Sequence, residues 1–247
     1  MINRFVDITR IFTLILFLIS MVFSCEKEVK FTVEEQSLEL LDNAEIAINY
    51  PKLNASNKSS TLINNALENY MASQLILDDT SEVPETLLLA ATNFDNEFKT
   101  FKEAFPDSAQ QWEAFIDAEV THQSSELLCI AVNTYLDTGG AHGNSHIHFL
   151  NFEPDSGKQY TREELITAAQ ELEPYVKDYL KKEITKNSDD APEDLFFGEN
   201  FKLPESIGFS DEGVIILYHP YELATYTQTI IEFTIPYEEL TSILLHY

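Results

Sequence analysis

The apolar residues change their spacing at Trp112, and that change limits the fold more than any other feature of the sequence. Ahead of it, Leu87, Ala91, Phe94, Phe98, Phe101 and Phe105 fall three and four residues apart, as on a helix with one buried face. Pro84 suits the first turn of that helix, and Phe105-Pro106 ends it. Behind it, Trp112 to Thr121 and Leu127 to Asp137 read as a hairpin around Gln123-Ser124-Ser125, and Ser145 to Glu153 as a further strand. Helices inserted between groups of hairpin-connected strands make the expected class α+β, an antiparallel sheet with helices packed against it.

The other segments fit the same class. Lys30 to Glu39 and Glu45 to Tyr50 read as strands around Asp42-Asn43, the second stopped by Pro51. Asn57 to Ser60 offers caps for a helix using Leu62, Ile63, Ala66, Leu67, Tyr70 and Met71. Pro154-Asp155-Ser156-Gly157 is a turn, and Thr161-Arg162-Glu163-Glu164 a capping box opening a helix that Pro174 divides. Strands follow near Phe209, from Val214 to Tyr218 and from Thr229 to Ile235, and Pro236 starts a short final helix.

The N-terminus has the parts of an export signal. Arg4 and Arg10 precede an apolar run from Ile11 to Phe23, and Ser24-Cys25 follows. Thirteen helical residues cover roughly 20 Å, short of the ~30 Å of hydrocarbon a spanning helix must cross. Residues 1–24 are therefore expected to be a signal peptide. Val22-Phe23-Ser24-Cys25 resembles a lipobox, with the Cys25 thiol as the acylated nucleophile; Phe23 is bulkier than the usual residue there. Glu26 follows the cysteine where an aspartate would resemble an inner-membrane retention signal, so a cell-envelope lipoprotein of the outer membrane is expected.

Removing residues 1–24 takes out Arg4, Arg10 and Asp7 and leaves 13 basic and 41 acidic residues, a net charge near −28. That balance argues against nucleic acid, whose binding needs a basic face, and favours a basic partner. Membrane contact is expected through the lipid alone. With Cys25 acylated, Cys129 has no disulfide partner and sits in an apolar run as a small hydrophobe. Two cysteines also exclude zinc-ribbon and iron–sulfur chemistry. No cofactor is expected.

Candidate chemistry is sparse. His142, His146 and His148 lie within seven residues, and on a strand His146 and His148 share a face. With a carboxylate such as Asp137 they could form a metal site, and hence a metal-assisted envelope hydrolase. The rival reading has them exposed or hydrogen-bonded, with His142 a post for the glycine turn. Tyr218, His219, Tyr221 and Tyr226 could line a groove or pack the sheet. Gly-x-Ser-x-Gly and Ser-x-x-Lys motifs are absent.

Tyr135-Leu136-Asp137-Thr138-Gly139-Gly140-Ala141-His142-Gly143 is the most distinctive stretch. It resembles the tyrosine, Gly-Gly-Ala-His signature of the PdaC/RsiV-like family, which makes Tyr135, Gly139, Gly140 and His142 candidate binding residues. Ile48-Asn49-Tyr50-Pro51, the Asp155-Ser156-Gly157-Lys158 turn, Phe209 with Tyr218 to Tyr226, and Ile235-Pro236-Tyr237-Glu238-Glu239-Leu240 are similar to family features in the same order. The resemblance implies one module over residues 25–247, with halves 30–150 and 151–247. The family comprises paired domains of unknown function, found in the lysozyme-sensing part of an anti-sigma factor and ahead of a deacetylase's catalytic domain. Only ten residues precede the apolar run and the chain ends at Tyr247, so neither the anti-sigma nor the deacetylase role is expected. The resemblance instead implies a binding module for a basic, lysozyme-like protein or for peptidoglycan.

Overall fold

The computed structural model describes residues 31–54, 58–78, 82–107, 110–187, 196, 201–220, 222–223 and 230–247. The expected signal peptide, Cys25, Tyr221 and Tyr226 lie outside them. Six strands form one sheet in sequence order: β1 (Val33–Leu40), β2 (Glu45–Leu53), β3 (Glu113–Gln123), β4 (Leu128–Asp137), β5 (Asn144–Phe152) and β6 (Gln159–Tyr160). A second sheet holds β7 (Ile207–Phe209), β8 (Gly213–Tyr218) and β9 (Ile231–Pro236). The class is α+β, as expected, and every pairing is antiparallel except β2 with β3. That pair is parallel because two helices, α1 (Lys58–Gln74) and α2 (Leu87–Ala104), carry the chain from the end of one strand to the start of the other.

Strand β4 explains how the layers stack. Its residues Leu128, Ile130 and Val132 face a core filled by Ile46, Ile48, Phe94 and Phe98 beneath α1 and α2. Cys129 faces a second core, built from β7–β9 and α4 (Ala169–Asn187), with Leu127 just ahead of the strand. A strand covered on both faces needs no polar alternation, which is why residues 127–132 read as one apolar run. Truncating such a side chain to alanine costs about 2–5 kcal/mol. Along α4, Leu172, Val176, Leu180 and Ile184 recur every four residues and supply its buried stripe.

Three prolines act differently from expectation. Pro51 does not stop β2, which runs on to Leu53. The β3 ladder ends at Asn49, and Leu53 N–H points to the vacated side, where it is met by Asn64 Oδ1 at 2.9 Å. Pro51 lies two residues earlier and faces the same way, so its missing N–H costs no ladder bond. Pro84 precedes α2 rather than opening it; Thr86 is the N-cap, its hydroxyl accepting from Leu89 N–H at 3.1 Å. Pro174 does not divide the helix that follows the capping box. The break falls between α3 (Arg162–Leu165) and α4, where the C-terminal segment pairs with the chain: Thr167 N–H donates to Ile243 O and Leu245 N–H to Leu165 O. Pro174 lies inside α4 without interrupting it. The short α5 (Tyr237–Leu240) closes the fold.

Candidate functional site

The glycine-rich loop connects β4 to β5. Gly139 has φ +86°, and its N–H donates to Asp137 Oδ1 at 2.9 Å, a side-chain turn that also draws in Gln110 Nε2. Gly140 carries no such demand: a methyl group there would meet only His142 O, at 3.8 Å. The second constrained glycine is Gly143. The Tyr135 ring lies so close that an added Cβ would sit 2.3 Å from it. The same tyrosine stacks on Phe115 with ring centroids 6.0 Å apart. His142 is exposed, and its Nδ1 donates to Gly143 O at 3.0 Å.

His146 and His148 share a face of β5, as strand geometry requires, but His142 does not join them. Their rings lie 6.2 Å apart; His148 stacks on Tyr70 of α1 at 4.9 Å, and His146 on His219 at 4.2 Å. Burial, with the neighbouring His219 and His148, holds His146 below the usual histidine range. Burial does the same to His148 and outweighs the opposing pull of Glu205. His219 has both nitrogens engaged: Nε2 accepts from Ile147 N–H at 3.0 Å, so the proton sits on Nδ1, which faces Glu222 Oε2 at 3.0 Å. Burial raises the Glu222 carboxyl, but hydrogen bonds from the His219 ring and backbone outweigh it and keep the value low. Stacked rings present faces to one another instead of converging lone pairs. Among the described residues, no group of three or more histidine, cysteine, aspartate or glutamate side chains is arranged to hold a metal ion.

Tyr218 lines no groove. It is 2% exposed, its hydroxyl donates to Lys202 O at 2.8 Å, and burial raises its pKa far above the usual phenol value. A tyrosine on a strand covered on both sides has nowhere to project but the core. The candidate residues thus separate into a loop (Tyr135, Gly139, Gly140, His142), a histidine cluster (His146, His148, His219) and a core position (Tyr218).

Two surfaces went unread in the sequence. The first is a face of the six-stranded sheet. The register sets Glu45, Glu113 and Asp137 side by side across β2, β3 and β4, and Phe115 and Tyr135 two residues further along. Glu39, Glu45, Asp117 and Glu119, on the same face, are exposed. The second is a cleft of about 520 Å³ whose lining includes His148, Asn151, Arg162 and Glu205. Its local signals were an asparagine inside Phe149-Leu150-Asn151-Phe152 and the only arginine after Arg10.

Two family models match in tandem: Deacetylase PdaC over residues 39–145 and Protein of unknown function (DUF3298) over residues 162–238. The chain belongs to the PdaC/DUF3298-like family. A crystal structure of a DUF3298-family member from Bacteroides fragilis is similar, with a TM-score of 0.65 at 18% identity over 87% of this chain and 94% of that one. A DUF3298-family protein from Pseudomonas aeruginosa gives 0.52 at 19% identity over 87% and 93%. Both likenesses show the shared fold. No curated protein matches the chain. In this PdaC/DUF3298-like chain the glycine-rich loop ends the first matched stretch, while Arg162 opens the second.

Proposed function

We propose that the chain is an extracytoplasmic binding module, tethered by lipid at Cys25, that captures a cationic protein on the open acidic face of its large sheet. The observation that carries this reading is the carboxylate row Glu45–Glu113–Asp137 beside the stacked Phe115–Tyr135 pair. Like charges directly opposite one another destabilise a sheet. A lysine or arginine docked between them relieves the repulsion and finds an aromatic face within reach. Net charge adds long-range attraction for a basic, lysozyme-like partner, whereas an anionic wall polymer is repelled. The export signal and Glu26 favour an outer-membrane lipoprotein, and no helix among the described residues is long and apolar enough to cross a membrane.

The test uses the full chain in mild detergent against an immobilised basic lysozyme and against peptidoglycan sacculi, at low and at physiological salt. Capture of the lysozyme that survives physiological salt and weakens about tenfold in Glu45→Gln with Glu113→Gln supports the reading. Capture that disappears with salt, or that ignores those substitutions, sinks it.

A further inference from the structure

The cleft lies where β5, the corner from β6 to α3, and residues 205–207 meet. Its volume falls within the range of about 300–1,000 Å³ typical of small-molecule sites, room for one or two sugar rings. Phe149, Leu165 and Ile207 line it, but none is more than 5% exposed; the accessible wall is shared about equally between polar atoms and the carbons of the other lining residues. A ligand that offers both hydroxyls and C–H faces, as a sugar ring does, matches that mixture.

Charge narrows the choice further. Arg162 is the guanidinium of the wall; its two terminal nitrogens each donate once, to Pro204 O at 2.7 Å and to Glu163 Oε1 at 2.8 Å. Glu205, exposed, adds a second carboxylate. An anion entering here meets a guanidinium already paired with Glu163 and a second carboxylate at Glu205. What the wall leaves unmatched is one amide oxygen and one guanidinium N–H. Asn151 is 4% exposed; its Nδ2 donates to Ile207 O at 2.9 Å, while its Oδ1 has no partner. Arg162 Nε is likewise buried without a partner. One orphan acceptor and one orphan donor in the same wall are matched by groups that both donate and accept, which is the property of a hydroxyl.

We propose that this cleft is a binding site for a neutral saccharide of one or two rings, with Asn151 and Arg162 on its inner wall and Gln159, Glu205 and Ser206 at hand for further hydroxyls. A peptide fits less well. The adjacent strand β6 has two residues, too short an edge to extend by backbone pairing. Burial keeps His148, on the same wall, below the usual histidine range, so it adds a neutral edge at pH 7. This inference is independent of protein capture by the sheet face.

The experiment titrates the full chain in mild detergent with cellobiose, chitobiose, a sulfated disaccharide and an uncharged tetrapeptide, read by calorimetry. Binding of a neutral disaccharide is expected, weakened about fivefold or more by Glu205→Ala and by Gln159→Ala. Both residues are exposed, so these variants keep their fold. Asn151→Leu should abolish binding, but Asn151 also holds Ile207, so the exposed pair carries the test. No binding of either neutral sugar, binding that ignores both exposed substitutions, or preference for the sulfated sugar or the tetrapeptide would overturn the proposal. None of these probes is a protein, so failure here leaves the lysozyme experiment unaffected.

Discussion

The imidazole of His219 accepts the amide proton of Ile147 at 3.0 Å, joining the end of β8 to the middle of β5 across 72 residues. Ser206 Oγ accepts from Phe149 N–H, two residues along, at 3.3 Å. Both amides face the side of β5 that the two-residue β6 leaves unpaired. Side chains from the DUF3298-matched half thus cover a strand edge that would otherwise be open to other chains. His219→Ala should cost about 1–3 kcal/mol, the penalty of a half-buried donor left unpaired. Urea unfolding reads the loss, and hydrogen exchange at Ile147 should rise with it. Unchanged exchange there would show that the bond contributes nothing.

Acid should weaken the fold through its buried histidines. His146, His148 and His122 are all held below the ordinary histidine value of 6.5, chiefly by burial. Glu205 and Glu222 pull His146 the other way, as Glu205 does His148 and Asp211 does His122, without reversing the shift. A histidine kept neutral by the fold binds fewer protons than the unfolded chain between its folded value and 6.5. Stability therefore rises with pH across that interval and is complete above it. The urea midpoint should fall between pH 7.5 and pH 5.5, and His146→Gln with His148→Gln should flatten the slope. His122→Gln should flatten it further. A slope indifferent to all three substitutions would assign the acid response elsewhere.

Asp95 does a different job beneath the β1–β2 turn. It is buried on α2 and accepts from Asn43 N–H, Asn43 Nδ2 and Ala44 N–H at 2.8, 2.6 and 2.8 Å, holding the turn between β1 and β2 against the helix. Burial alone would raise its carboxyl; these donors, with Lys99, hold it low. Asp95→Ala leaves two backbone donors unpaired and should cost about 2–5 kcal/mol. Because the folded value is depressed, this contribution is present above the normal carboxylate value and fades as pH falls through the folded one. The difference in stability between wild type and variant should therefore shrink near pH 3. A constant difference would mean the stabilisation does not depend on the charge.

What was legible in the sequence was local. The α2 stripe from Leu87 to Phe101, the hairpin at Ser124 and the capping box at Thr161 each state their structure within a few residues, and each is present; Phe105, read as the last of the stripe, is instead the exposed C-cap. What failed depends on distant chain. Pro51 reads as a stop until one knows that β3 departs at Asn49, and the break at Ile166 comes from residues near 243–245. The histidines illustrate both sides. Their shared strand face follows from period two, whereas His219, the ring that stacks on His146, is invisible from there. The cleft is less legible still, because Asn151 and Arg162 acquire a common wall only when β5 meets α3.

The glycines of the β4–β5 loop invite a direct comparison. Gly143→Ala puts a methyl carbon 2.3 Å from the Tyr135 ring, so the ring must move. That ring is braced against Phe115, and the substitution should cost about 1–3 kcal/mol as an overpacked site. Gly139→Ala imposes φ +86° on a residue with a Cβ, worth about 1–2 kcal/mol. Gly140→Ala meets nothing closer than 3.8 Å and should stay within about 0.5 kcal/mol of wild type. The order 143, then 139, then 140 is checked by thermal melts of the three variants. Tyr135→Ala combined with Gly143→Ala should recover part of the Gly143 cost, because the clash partner is gone. No recovery would place the strain in the backbone instead. The ring also belongs to the aromatic pair on the acidic face, so Gly143→Ala should weaken lysozyme capture more than Gly140→Ala does, although neither glycine belongs to that face.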